Sequence, residues 1–312
     1  MGIGAYIRRV GRKRGDGHAL TRPEAADLMA QVLDRTVTDL EVGAFCMAMR
    51  IKGESADELA GFMDALQARV QCISAANGNP VVVIPSYNGA RKFPVLTPLL
   101  GLMLAQRGVP VLMHGMPTED VRVSSGDVLR ELGIGQSQSL APMAAGEFRW
   151  VDTALLCPGL ARLLEVRRAL TLRNTGHSLA KMINPIAGKS LLLSSYTHGE
   201  YSEAMQEAMQ MHHLSAMLFH GLEGEVIAEA RRLRETVFIL NGQHQSAAFW
   251  ADQMASLSAE TGRGLSLSPQ EMQIDAAQTA AYTQKVLSGQ GPVSEAVAAQ
   301  VALITRAWQA VC

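Results

Sequence analysis

The chain has 312 residues, 48% hydrophobic and 18% charged, enough to bury a sizeable core in one large or two medium domains. Lys+Arg number 28 and Asp+Glu 29; the formal net charge of -1 excludes a highly charged disordered chain and argues against a wholly basic, nucleic-acid-coating protein. No apolar run approaches the roughly 18–20 residues of a membrane span, the basic start lacks the apolar stretch of a secretory signal, and four scattered cysteines form neither a zinc nor a disulfide framework, so a cytoplasmic protein with free thiols is expected.

Residues 1–76 predict helices only. Ile3, Ile7 and Val10 recur at helical spacing. Three capping boxes follow, Thr21 with Glu24, Thr38 with Glu41 and Ser55 with Glu58, in which a hydroxyl accepts from a free N–H of the first turn and the glutamate reaches back. Pro23 suits a first turn, and Gly53 a helix stop.

After Asn77-Gly78-Asn79-Pro80 the rhythm becomes strand, loop, helix. The β-branched run 81–84 predicts a strand buried on both faces, residues 96–106 a helix, and 109–113 a second strand. Residues 125–132 and 202–211 predict helices, and 191–194, 216–219 and 237–240 further strands. Alternation of this kind argues for a mostly parallel sheet in an α/β domain. From residue 246 the pattern is again helical, with breaks around 262–269 and 289–292.

Two loops fall where α/β sheets place ligands, just after strand ends: Pro85-Ser86-Tyr87-Asn88-Gly89-Ala90-Arg91-Lys92 and His114-Gly115-Met116-Pro117-Thr118-Glu119. A backbone phosphate cradle needs several glycines; the first loop holds only Gly89, although Arg91 and Lys92 offer side-chain contacts to a phosphate. Glu223 and Glu225, following His220-Gly221, are weak candidates for Mg²⁺, the alternative being a solvated loop. No HExxH, CxxC or Gly-x-Ser-x-Gly pattern occurs, and no catalytic residue is assigned.

The charge map says more. Arg8, Arg9, Arg12, Lys13 and Arg14 lie together, with no acid before Asp16. A second run holds Arg162, Arg167, Arg168, Arg173, Lys181 and Lys189, and between Thr153 and Gly199 the only acid is Glu165. Two nearly acid-free regions in a neutral protein fit a groove for a polyanion, with affinity dominated by phosphate neutralisation.

The stretch Leu20-Thr21-Arg22-Pro23-Glu24-Ala25-Ala26, through Glu41-Val42-Gly43-Ala44-Phe45, to Arg50-Ile51-Lys52-Gly53-Glu54-Ser55-Ala56-Asp57-Glu58-Leu59-Ala60-Gly61-Phe62 strongly resembles the N-terminal domain of anthranilate phosphoribosyltransferases. The likeness continues through His114-Gly115, Ser124-Ser125-Gly126-Asp127, Arg167-Arg168, Asn184-Pro185 and His220-Gly221. It implies a small helical N-terminal domain (1–76, joined by part of 158–184) and a larger, mostly parallel α/β domain (80–312) of the nucleoside phosphorylase/phosphoribosyltransferase type. It also implies dimerisation through the helical domain. The departures are as telling. The family's GTGGDG loop, which holds phosphoribosyl pyrophosphate, falls on Ser86-Tyr87-Asn88-Gly89-Ala90-Arg91; three of four glycines are gone and an arginine has come in. Its KHGN becomes Met113-His114-Gly115-Met116, and its Gly-Pro before Asn-Pro becomes Ala180-Lys181. Its Mg²⁺-binding Asp-Glu pair falls on Val226-Ile227. Arg167 stands where the family has an anthranilate-binding arginine.

The pattern is similar to the divergent YbiB-like, DNA-binding branch of that family, glycosyltransferase family 3. It implies a homodimer binding nucleic acid, DNA foremost, without sequence preference and without a cofactor. Arg8, Arg9, Arg12, Lys13, Arg14, Arg167, Arg168, Arg173 and Lys181 are the expected phosphate contacts. Ser86, Asn88, Gly89, Arg91, Lys92, His114, Gly115, Ser124 and Ser125 then form degenerate substrate loops. The alternative is a glycosyl- or phosphoribosyltransferase of altered substrate, with Mg²⁺ required only there.

Overall fold

A computed structural model describes residues 2–12, 18–228, 230–250 and 274–312. Lys13, Arg14 and the sequence break expected around 262–269 lie outside the described residues. The first helices are α1 (Gly4–Val10), α2 (Arg22–Leu33), α3 (Asp39–Lys52) and α4 (Ala56–Gln67). The capping boxes at Thr21, Thr38 and Ser55 all form. Two of their glutamates do a second job. Glu41 also accepts from Ile3 N (3.1 Å), tying α1 to α3. Glu58, fully buried, also accepts from Leu20 N (2.9 Å) and from Lys52 Nζ (2.6 Å). Phe45 and Phe62 meet edge to face with centroids 6.0 Å apart. Helices α2 and α4 approach closely because Gly61 has no side chain: a Cβ there would lie 2.2 Å from Arg22 O.

The second part is a seven-stranded sheet with helices on both faces. Its strands are β2 (Val81–Pro85), β3 (Val111–Gly115), β4 (Phe148–Asp152), β6 (Ser190–Tyr196), β7 (Ala216–His220), β8 (Val237–Leu240) and β9 (Gln243–His244). The spatial order is β4-β3-β2-β6-β7-β8-β9; pairing is parallel from β4 to β7 and antiparallel beyond. A two-stranded parallel pair, β1 (Ile73–Ser74) with β5 (Ile186–Ala187), ties the end of the helical part to the chain just ahead of β6.

Side chains of the central strands alternate between two cores, as the period of two demands. Val82, Ile84, Leu191 and Leu193 pack under α5 (Thr97–Gln106), α11 (Ala276–Leu287) and α12 (Glu295–Val311). Val81, Val83 and Leu192 face the opposite way, into a core continuous with the helical domain. That side carries α7 (Thr153–Leu156), α8 (Pro158–Leu170), α9 (Thr175–Ala180) and α10 (Gly199–Met211). Helix α8 lies against α2, where Gly159 leaves room for Leu33 O; a Cβ would come within 2.5 Å.

Two elements differ from the sequence expectation. The strand expected at 109–113 begins at Val111, because Gly108 turns with φ +83 and Pro110 has no N–H to pair. The edge strand β4 was hidden by Arg149 and Asp152, which interrupt its apolar run; Arg149 is held by Glu147 (2.5 Å).

Candidate functional site

The loop after β2 is a nest of backbone N–H groups, and the protein's own carboxylates fill it. Glu225, 4% exposed, accepts from Asn88 N (2.9 Å) and Gly89 N (2.8 Å) through Oε1, and from Ser86 Oγ (2.6 Å) and Thr97 Oγ1 (3.0 Å) through Oε2. Glu223 accepts from Arg91 N (2.9 Å), Lys92 N (2.9 Å) and Phe93 N (3.3 Å). Asn88 Nδ2 closes the junction on Gly224 O. The loop depends on Gly89, which adopts φ +58 and whose missing Cβ would stand 2.4 Å from Val123 O. Glu223 and Glu225 are therefore anchors of the loop, a correction to their reading as Mg²⁺ candidates. Among the described residues no cluster of three or more His, Cys, Asp or Glu could hold a metal ion. Val226 and Ile227, where the resemblance puts the metal acids, are buried in the apolar core.

The second loop packs behind the first. His114 is fully buried, with Nδ1 2.7 Å from Tyr87 Oη, which in turn accepts from Thr153 Oγ1 (3.0 Å). Burial holds the His114 imidazole down at about 3, so it stays neutral. Gly115 admits Ser86 O, which would otherwise strike a Cβ. Ser124 caps α6 (Ser125–Glu131), and Ser125 Oγ is hydrogen-bonded with Ser86 Oγ (2.7 Å). These degenerate-loop residues form one continuous structural network.

The acid-poor run 153–199 finds its acids elsewhere in the fold. Arg167 pairs with Glu119 (2.6 Å), which also contacts Arg91 and Arg122. Arg168 pairs with Asp120 and Glu165, and Arg162 with Asp39. Arg167 and Arg168, expected as phosphate contacts, thus each have an ion-pair partner remote in sequence, and Glu119 is shared among three guanidiniums. On α1, Arg9 pairs with Glu24 (2.6 Å), whereas Arg8 and Arg12 are exposed and form no ion pair with a described residue.

Arg173 and Lys181 are different again. They line a cleft of about 360 Å³ between the helical domain and the carboxyl ends of the strands. Met49, Arg50 and Glu54 close it from one side; Asn88, the segment Ser195-Tyr196-Thr197-His198 and the start of α10 close it from the other. Neither Arg173 nor Lys181 forms an ion pair with a described carboxylate. Burial, then the neighbouring Arg167 and Arg122, push the Arg173 guanidinium down to about 10. Burial, then Arg173, lower Lys181 to about 8, and its Nζ donates to Ser195 O (3.0 Å). His177, on the same wall, is pushed down to about 3 by burial and then by Arg173 and Arg167. Glu54 accepts from Thr175 Oγ1 (2.7 Å) and burial raises its carboxyl. Sequence reasoning missed His177, Tyr196, His198 and Tyr201 as part of one site. The only available signal was the polar string 195–201 directly after a strand end.

The helical region, residues 8–70, matches the family described as "Glycosyl transferase family, helical bundle domain". The chain is 33% identical over 304 residues to the uncharacterized protein YbiB of Escherichia coli (strain K12), covering 95% of this chain and 91% of that protein. It is 28% identical over 223 residues to anthranilate phosphoribosyltransferase 2 of a Nostoc species, covering 67% of this chain and 61% of that protein, so it spans less than two thirds of that enzyme. Two solved structures share the fold. Anthranilate phosphoribosyltransferase from Thermus thermophilus has TM-score 0.67 at 18% identity over 98% of this chain and 88% of that one. The Saccharomyces cerevisiae enzyme, in complex with PRPP and Mg, has TM-score 0.69 at 11% identity over 99% and 89%.

Proposed function

The chain belongs to the anthranilate phosphoribosyltransferase-like, glycosyltransferase family 3 proteins, and from that premise we propose that it binds nucleic acid without sequence preference, as a homodimer, and has given up the pyrophosphate donor and its Mg²⁺. The observation that carries this reading is the sealed loop. A diphosphate would have to displace two carboxylates that satisfy the N–H groups of Asn88, Gly89, Arg91, Lys92 and Phe93. Leaving those carboxylates beside a diphosphate would set like charges together. Nor do the nearby residues suit Mg²⁺: Val226 and Ile227 offer no oxygen, and Glu223 and Glu225 are engaged.

The polyanion-binding face in this reading runs from α1 toward the cleft. A Cβ built on Gly11, just past α1, would stand 3.6 Å from the Ala48 side chain, two residues before Arg50, which lines the cleft. Exposed Arg8 and Arg12 supply charge at one end, Arg50 and Arg173 at the other. The dimer part rests on α3, where Leu40 (83% exposed), Met47 and Ile51 (70% exposed) share one face at helical spacing without a covering partner in the monomer.

A fluorescence titration with DNA tests the reading. Affinity should fall linearly on a log scale with salt, and alanines at Arg8, Arg9, Arg12, Lys13 and Arg14 should weaken all sequences alike and reduce the salt slope by about one per lost phosphate contact. Absence of binding at low salt overturns it. Sedimentation checks the dimer, which Leu40→Glu with Ile51→Glu should dissociate. The persistence of the interdomain cleft keeps one alternative, glycosyl transfer with another substrate. Calorimetry with phosphoribosyl pyrophosphate and Mg²⁺ discriminates, since heat of binding would favour it.

A further inference from the structure

We propose that the interdomain cleft is a binding site for a nucleoside monophosphate unit, either a free nucleotide or the phosphorylated end of a single strand, with phosphate on Arg173 and Lys181 and the base against the rings at the mouth. For the strand end, this rests on the nucleic-acid reading above; for the free nucleotide it stands alone.

Four independent features converge on the phosphate. Arg173 and Lys181 sit in the cleft wall with no described carboxylate within ion-pair distance. A sunken cation without a counter-charge is costly and is relieved by an anion. His177 Nε2 is buried and has no hydrogen-bond partner among the described residues, while its Nδ1 lies 3.3 Å from Asn174 N. The same Nδ1 also lies 3.3 Å from Asn174 O and from Asn174 Oδ1. Helix α10, thirteen residues long, starts at the same cleft; its N-cap His198 makes no side-chain cap bond, and in its first turn Tyr201 N is satisfied by His198 O (3.2 Å), which leaves Gly199 and Glu200 without a side-chain cap. Finally, the two acids that share the lining do not neutralise this wall. Glu54 is held by Thr175, and Glu200 is exposed at the rim.

The base follows from what surrounds the phosphate. Tyr196, His198 and Tyr201 all line the cleft, and the Tyr201 ring is 39% exposed, tilted against His198 with centroids 6.5 Å apart. Flat, half-open rings beside a cationic pocket suit stacking of a heterocycle. A bare phosphate would leave most of the roughly 360 Å³ unused. That volume falls in the range of small-molecule sites.

The test compares free and strand-borne ligand on the intact protein. Calorimetry with adenosine monophosphate and with inorganic phosphate reads the free site. Anisotropy with a short single strand, terminally phosphorylated or ending in hydroxyl, reads the strand end. Adenosine monophosphate should bind at least about tenfold tighter than phosphate, as expected for a stacked base. Lys181→Met and Tyr201→Ala should each cost about tenfold, through the lost charge-assisted bond and the lost stack respectively. If the source is a strand, the phosphorylated end should be preferred by a similar factor, and Lys181→Met should erase the preference without changing duplex binding. Equal affinity for both ends together with no heat from adenosine monophosphate overturns the inference while leaving salt-dependent nucleic-acid binding intact. Heat from adenosine monophosphate with no oligonucleotide bound supports the site and overturns the nucleic-acid reading instead.

Discussion

Two places in this molecule are built to receive negative charge, and they have been treated in opposite ways. The loop after β2 gathers backbone N–H groups and meets them with Glu223 and Glu225. The cleft beside it gathers Arg173 and Lys181, and no described carboxylate forms an ion pair with either. Asn88 belongs to both: its backbone N–H is held in the sealed loop, and the residue also lines the cleft. Backbone donors that are always present are satisfied internally, because an orphaned buried N–H is expensive. Side-chain cations left unpaired in a half-buried wall cost stability for as long as no ligand is there. The proposed binding at the cleft, and the structural role of the loop, rest on this contrast.

The largest effect should come from breaking the sealed side. Glu225→Gln puts an amide donor against at least one of four donors now served by the carboxylate and removes its charge. A loss of about 3–4 kcal/mol in a urea unfolding titration is expected. Glu225→Gly empties the Asn88–Gly89 half of the nest, and added pyrophosphate should then raise the melting temperature of that variant and leave the parent chain unchanged. A Glu225→Gln protein of parental stability would mean that the loop is not held as described.

On the open side the sign reverses. The Lys181 ammonium is lowered from 10.5 to about 8 by burial, so below pH 8 the folded state carries a charge it disfavours. Above pH 8 the folded state releases that proton while the unfolded chain keeps it up to 10.5. Stability contributed at this position therefore rises with pH across that window. Lys181→Met should accordingly stabilise the protein at pH 7, by up to about 3 kcal/mol. The gap to the parent should close by pH 10.5. Gain of stability with loss of anion binding is the signature of a residue kept for its ligand; a destabilised variant would assign Lys181 to structure.

The reach of sequence reasoning divides along the same line. The helical domain was legible because its information is local: Thr21, Thr38 and Ser55 each find their glutamate three residues on. The parallel sheet was legible from β-branched runs such as Val81-Val82-Val83-Ile84. The sealing of the loop was not, because Glu225 lies 137 residues from Asn88. For the same reason the charge map misled. Arg162 and Arg168 have only Glu165 to share in any local window, yet Asp39 and Asp120 reach them from 123 and 48 residues away. Lys181 and Arg173 stood in the same run and form no ion pair with a described carboxylate, a distinction only the fold can make.

The smallest of the expected effects separates the cleft from the core. His177 and His114 are both held neutral, down at about 3, but for different reasons. His114 is neutral through burial behind Tyr87, whereas at His177 Arg173 and Arg167 add to the burial. In each case the unfolded imidazole takes up a proton near pH 6.5 and the folded one does not. Stability is thus complete above that pH and is lost progressively as pH falls toward 3. At pH 5 the loss is about 2 kcal/mol for each histidine. Arg173→Gln removes one of the cations that face His177 and leaves His114 untouched. It should therefore raise the pH at which the folded His177 takes up its proton and flatten the acid slope of the urea midpoint at the low end of that window, below about pH 5. An anion bound in the cleft should act in the same direction, since it too offsets the field of Arg173 at the ring. A slope unmoved both by Arg173→Gln and by saturating adenosine monophosphate would mean that His177 is insulated from the cleft charges, and the contrast between the sealed loop and the open wall would lose its electrostatic half.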